Sequence, residues 1–256
     1  MGRKSTPTCF MIRKVANTIC IHTTRGKIGF FEIFSGWLPK LIILMNKGYE
    51  LVIENCSSGG HRLEPSMMQR TSMSSFSDAH ESWNIPIIAR QLHHLIPPRQ
   101  SQIWAVLYPD DSPERFIYSL TATLYGRMCL SGPVHDLNDA QMTTVKNAVS
   151  FYQAAAPIIK NGKTHFIGST PDNWYQPTGW SGIWRESDAG DQALLVIHAY
   201  NALPDVDLQI RLPTNRFGGP RRSLHDATTD EPTSDGDTLT LPKGNPFRGY
   251  AFLFGK

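Results

Sequence analysis

The hydrophobic pattern changes texture twice along this chain. Residues 1–30 carry no clear period and read as irregular or as a piece of something larger, and from 31 to 46 apolar residues recur at roughly helical spacing, interrupted by Gly36 and Pro39. From there to residue 162, short apolar runs alternate with stretches of helical spacing. The runs at 50–56, 71–77, 102–107 and 128–130 are strand candidates, each closing in polar residues or glycine. Residues 65–70, 85–95, 115–125 and 138–160 supply the intervening helical turns. Pro86 suits a first turn, while Asn138, Asp139 and Gly162 provide an N-cap, a first-turn acid and a stop for the longest helix. After Gly162 the segments 180–186, 192–200, 207–212, 238–241 and 250–254 are short and alternating, separated by Pro, Gly and Asp turns. The polar stretch 221–236 reads as a mobile loop.

Strands that alternate with helices and end in glycine or polar residues indicate a parallel α/β arrangement, and four of them amount to about half a closed barrel. The tail indicates an antiparallel β-sandwich-like module. The expected organisation is therefore a basic segment at 1–46, an α/β segment at 47–162 and a β-domain at 163–256.

Charge sharpens this only slightly. The chain has 256 residues, 25 basic and 22 acidic, for a net +3; residues 1–50 hold eight Lys/Arg and two Glu, leaving the remainder at −3. No arginine-rich period accompanies the basic head, so a nucleic-acid partner is not expected. No apolar run approaches ~18 residues, so no membrane span is expected either. Cys9, Cys20, Cys56 and Cys129 show no C-x-x-C spacing, which argues against a disulfide scaffold or zinc site and fits a reducing cytoplasm. No metal or cofactor is expected.

The candidate chemistry lies at two strand ends. Glu54-Asn55-Cys56-Ser57-Ser58-Gly59-Gly60-His61-Arg62 closes the run Leu51-Val52-Ile53 with a thiol, hydroxyls and glycines, a composition that brings backbone amides close to a ligand. Ser77-Asp78 closes the next run, and Asp78 is the first aspartate in the chain. Glu54 reads equally as a support for this site or as an ordinary buried ion pair, and Arg62 as a pocket cation or as a partner for Glu64. A Cys56/His80 hydrolase would also need an oriented third group. His93 and His94, being adjacent, face different sides of a helix and do not share a metal. Trp104, Trp174, Trp180 and Trp184 read as core.

On these residues the chain resembles the α-galactosidases of glycoside hydrolase family 36, the melibiase family. The resemblance covers about 51–162 and is carried by Glu54-Asn-Cys-Ser-Ser-Gly-Gly60, by Ser77-Asp78, and by Leu130-Ser131-Gly132 before a helix entering Phe151-Tyr152 and Ile158-Ile159. It implies the C-terminal half of a (β/α)8 TIM barrel followed by a C-terminal β-domain, and retaining hydrolysis of terminal α-galactosides of the melibiose or raffinose type. Asp78 would then be the general acid/base, with Cys56, Ser58, Gly59, Gly60 and Arg62 holding the sugar.

Two departures qualify what the resemblance implies. The family's nucleophile lies upstream in a Lys-x-Asp strand end, whereas no aspartate precedes Asp78 here, and His61 stands where many members have glycine. The expectation is the C-terminal portion of such an enzyme, inactive by itself and prone to associate, including as a homo-oligomer, through exposed strand edges. A non-catalytic carbohydrate-binding or interaction module derived from the enzyme is the alternative.

Overall fold

A computed structural model describes residues 8–14, 17–23, 52–56, 59–60, 62–79, 83–201, 206–226 and 231–255, with backbone alone for 8–23 and Cys56. The chain divides into two compact units, Met1–Asp78 and Ala79–Lys256.

The first unit is a small sheet in the order β2-β1-β3-β4. β1 (Thr8–Lys14) and β2 (Asn17–Thr23) form an antiparallel hairpin in which Lys14 faces Asn17. This corrects the irregular reading for residues 8–14 and 17–23; the rest of 1–30 and the helical expectation for 31–46 lie outside the described residues. β1 also pairs antiparallel with β3 (Val52–Cys56), Cys9 opposite Cys56. β3 is buried through Ile53, Glu54 and Asn55.

From β3 the chain crosses by a four-residue helix, α1 (Pro65–Met68), to β4 (Met73–Ser75), which runs parallel to β3 with Asn55 opposite Ser74. Pro65 begins α1 because its fixed φ suits a first turn and its missing N–H is not needed there. Met67, Met68, Met73 and Phe76 are buried. The entry to β4 is held by Ser72, whose amide donates to the Ile53 carbonyl at 2.8 Å while its hydroxyl accepts from the Ile53 amide at 3.2 Å.

The second unit opens with α2 (Ile85–Leu92), β5 (Ser101–Val106), α3 (Pro113–Ala122), β6 (Arg127–Ser131) and α4 (Asp139–Asn161). β5 and β6 are parallel, with Ala105 opposite Leu130. The Ser112 hydroxyl caps α3, and Asn138 with Gln141 forms a reciprocal capping box at the start of α4. Then β7 (Lys163–Gly168), β8 (Trp180–Glu186), β9 (Gln192–Ala199), β11 (Arg222–Leu224) and β14 (Arg248–Gly255) build an antiparallel sheet in the order β11-β14-β9-β8-β7. A second sheet, β10-β13-β12, comprises β10 (Leu208–Arg211), β12 (Thr233–Asp235) and β13 (Thr238–Leu241). Parallel strand–helix units followed by antiparallel sheets are the architecture of a partial (β/α)8 barrel with a C-terminal β-domain.

Three differences from the sequence reading stand out. β11 and β12 lie inside the stretch expected to be loop, though β12 is exposed at every residue. β9 and β14 are apolar on both faces rather than alternating. One face supplies Trp184, Leu195, Ile197, Phe252 and Phe254 to a core with Ile210, Leu239 and Leu241 of the small sheet. The other lies under α3, so a helix–sheet–sheet sandwich makes both parities inward. Where α3 crosses β14, a Cβ on Gly249 would fall on Thr121 Oγ1 and lie 2.9 Å from the Tyr118 Cα. Finally, Trp104 is half-buried, its indole donating to the Ala79 carbonyl at 2.9 Å, and Trp174 is 50% exposed.

Buried cations join the helices to the β-sheet within this unit. Arg90 of α2 donates to the Gly182 carbonyl at 3.0 Å, the Ile167 carbonyl at 3.3 Å and the Thr170 hydroxyl at 3.0 Å. Arg185 of β8 donates to the Ile158 and Ile159 carbonyls at 2.8 and 3.0 Å, the negative end of the α4 dipole. Burial lowers the Arg185 pKa to about 10, with Arg99 adding repulsion, so the guanidinium stays charged near neutrality.

Candidate functional site

All six residues singled out as a site fall in the first unit, at the ends of β3 and β4. Asp78, Gly59, Gly60 and Arg62 are described; Cys56 is fixed as the last residue of β3 by its backbone, and Ser58, with His61 and His80, lies outside the described residues.

The glycines decide the geometry. Gly59 has φ +64° and Gly60 φ +84°, a left-handed pair that side chains other than glycine adopt at a cost. Their faces are also occupied. A Cβ on Gly59 would fall on the Asp78 amide nitrogen and lie 2.9 Å from the Asp78 carboxyl carbon; one on Gly60 would lie 2.6 Å from the Phe76 carbonyl oxygen. The bend after β3 therefore packs directly against the segment after β4, bringing the Asp78 carboxyl to the glycine turn. Asp78 itself is exposed, so a ligand can reach it.

Asn55 holds the bend from below, a role that sequence reading missed. It is fully buried, its amide donates to the Arg62 carbonyl at 2.6 Å, and its own carbonyl accepts from the Ser74 hydroxyl at 3.1 Å. One side chain thus closes the loop from residue 55 to residue 62. An amide beside the apolar run Val52-Ile53 in so short a strand was the available signal. Glu54 is also buried, at 3% exposure.

Arg62 is half-buried; desolvation lowers its pKa and the nearby Glu64 charge opposes that shift. The described residues offer an exposed carboxyl set against a backbone bend, groups able to hydrogen-bond a ligand and exchange a proton with it.

The two histidines of the helical segment serve the fold instead. His93 Nε2 donates to the Tyr125 carbonyl at 2.6 Å and its Nδ1 meets the Thr164 hydroxyl at 3.0 Å, while His94 stacks on Phe166 at 4.0 Å. Among the described residues no three His, Cys, Asp or Glu side chains gather to hold a metal, and no helix is long and apolar enough to cross a membrane.

No protein-family model matches the sequence, and no curated protein matches it. Solved structures do match. The chain is similar to the family 36 α-galactosidase AgaA from Geobacillus stearothermophilus in complex with 1-deoxygalactonojirimycin, with a TM-score of 0.63 and 15% identity over 79% of this chain and 28% of that one. It is similar to the galactosidase domain of the α-galactosidase-sucrose kinase AgaSK, with a TM-score of 0.66 and 15% identity over 86% of this chain and 30% of that one. The α-galactosidase from Lactobacillus brevis aligns with a TM-score of 0.62 and 16% identity over 79% of this chain and 28% of that one. This chain thus spans less than a third of the length of these proteins, and the likeness is one of fold.

Proposed function

We propose that the bend from Cys56 to Arg62 and the carboxyl of Asp78 form part of a site for retaining cleavage of terminal α-galactosides. Asp78 acts as general acid/base, while Cys56, Ser58, Gly59, Gly60 and Arg62 hold the sugar. The supporting observation is the approach of Gly59 to Asp78, so close that a Cβ would stand 2.9 Å from the carboxyl carbon. The solved structures to which this fold is similar include enzymes in complex with 1-deoxygalactonojirimycin and with raffinose.

In such a reaction Asp78 gives its proton to the glycosidic oxygen as the bond to the aglycone breaks, then takes a proton from the water that completes hydrolysis. The second carboxylate, about 5 Å away in retaining enzymes, would attack the anomeric carbon. No aspartate precedes Asp78 in this sequence. The chain as it stands therefore supplies the proton-transfer half and turns over p-nitrophenyl α-galactoside no faster than buffer. The alternative, a sugar-binding module without catalysis, is favoured by the same missing aspartate.

Calorimetric titration with 1-deoxygalactonojirimycin tests the reading. Binding that weakens at least roughly tenfold in both Asp78→Asn and Arg62→Ala is expected, the loss of one charged hydrogen bond in each case. Binding indifferent to both substitutions removes the site. Turnover by the wild-type chain that Asp78→Asn abolishes would keep the acid/base role and overturn the claim of inactivity.

A further inference from the structure

Cys9 of β1 and Cys56 of β3 are direct partners in the antiparallel pairing of these strands, in a register that continues to Arg13 opposite Val52. They lie far apart in sequence, so their spacing gives no sign of the pairing. Directly opposed residues of an antiparallel pair have Cα atoms about 4.5 or 5.5 Å apart, according to which of the two alternating pair types they form. Both values fall inside the roughly 4.4–6.8 Å that a disulfide spans. The pairing therefore meets the backbone requirement of a disulfide whichever type it is.

The other two cysteines do not share this arrangement. Cys20 of β2 stands opposite Met11, two positions out of register with Cys9, whose partner on that strand is His22. Such diagonal neighbours are about 7–8 Å apart, at or beyond the ~7 Å limit for bridging without backbone movement. Cys20 and Cys56 are separated by the whole width of β1. Cys129 of β6, in the second unit, lies opposite Trp104. Register thus singles out one pair among the four cysteines.

Cys56 is also the last residue of β3, where the strand passes toward the Gly59–Gly60 turn that packs against the Phe76–Asp78 segment. We propose that Cys9 and Cys56 are a reversible thiol–disulfide pair whose oxidation withdraws the Cys56 thiol from the sugar-holding bend. The consequence for sugar rests on the role given above to Cys56; the pair itself does not. The oxidant is a small-molecule disulfide. One cysteine thiolate attacks it, forming a mixed disulfide and releasing one small thiol. The second cysteine thiolate then attacks the protein sulfur of that mixed disulfide and releases the other small thiol. The protein gives up two thiol protons and two electrons, and the small disulfide becomes two thiols.

The test treats the full chain with glutathione disulfide, blocks the remaining thiols with iodoacetamide and maps linked peptides by mass spectrometry without reduction. The main cross-link expected is Cys9–Cys56, in chains that run as monomers on a non-reducing gel. It should persist in Cys20→Ser, vanish in Cys9→Ser and be removed by dithiothreitol. The oxidised chain should bind 1-deoxygalactonojirimycin at least roughly tenfold more weakly than the reduced chain, whereas Cys9→Ser should show one affinity with or without oxidant. A main cross-link to Cys20 or Cys129, a link confined to covalent dimers, or glutathione adducts with no internal link would overturn the pair. A Cys9–Cys56 link that leaves affinity unchanged overturns the regulation and upholds the pair. A reduced chain that binds no inhibitor overturns the sugar reading of Cys56 and the regulation with it, while the linked peptide still decides the pair.

Discussion

The two units of this chain hold their shapes by different means. In the first, the candidate site depends on a few local restraints: two left-handed glycines packed under the Phe76–Asp78 segment, and one buried amide, Asn55, bridging to Arg62. In the second, which contains none of the residues assigned to the Asp78 site, buried polar side chains reach across long sequence separations. The Thr164 hydroxyl receives a hydrogen bond from Arg185 and meets His93, whose other nitrogen donates to the Tyr125 carbonyl. His198 is completed on both sides, with Nε2 donating to the Tyr118 carbonyl at 3.2 Å and Nδ1 accepting from the Tyr125 hydroxyl at 3.2 Å. Stability is thus built by distributed networks in one region, whereas the other keeps a short, sterically exact bend of half-buried residues beside the exposed Asp78.

The contrast predicts unequal responses to substitution. The largest belongs to Arg185→Ala, which strips partners from the buried Ile158 and Ile159 carbonyls and should cost about 3–4 kcal/mol in urea unfolding. A loss under 1 kcal/mol would mean that these bonds are not what joins α4 to the sheet.

Acid should weaken the second unit next. Burial lowers the His198 pKa to about 3 and the His93 pKa to about 4, each partly opposed by a hydrogen bond to a backbone carbonyl. The unfolded chain binds these protons near the ordinary histidine value of about 6.5 while the folded chain does not, so stability is full above that pH and falls as pH drops through the window below it. Thermal melting at pH 7 and pH 5 should show the lower midpoint at pH 5, and His198→Gln should flatten part of the slope. An identical slope in that variant would contradict the assignment.

In the first unit, Asn55→Ala should cost about 1–3 kcal/mol and loosen the bend, read as faster amide exchange at Gly59 and Gly60. Asp78→Asn is the smallest perturbation of folding, within about 0.5 kcal/mol, because the side chain is exposed.

The same contrast explains what the sequence could reveal. β8 at Trp180–Glu186 and β13 at Thr238–Leu241 match their predicted bounds because local alternation and flanking turns define them. β12 was not legible, since three exposed residues carry no hydrophobic period and exist as a strand only by pairing with β13. β1 pairs both with β2 and with β3, a strand some forty residues on, information that no local window holds. The approach of the glycine bend to Asp78 was suggested by two strand ends closing in small polar residues. Asn55 as its clamp, Arg185 as a helix cap and His198 as a buried neutral base were not, because their partners lie 7, 27 and 80 residues away.

The central claim is that Asp78 and the glycine bend act together on one sugar, and an amide-resolved NMR titration with galactose addresses it most directly. The account predicts that the Gly59, Gly60, Arg62 and Asp78 signals move together with a single Kd, and that Asp78→Asn abolishes the shifts at all of the remaining positions. Shifts at the glycines that persist in Asp78→Asn, or an Asp78 signal that stays still while the glycines move, would contradict it.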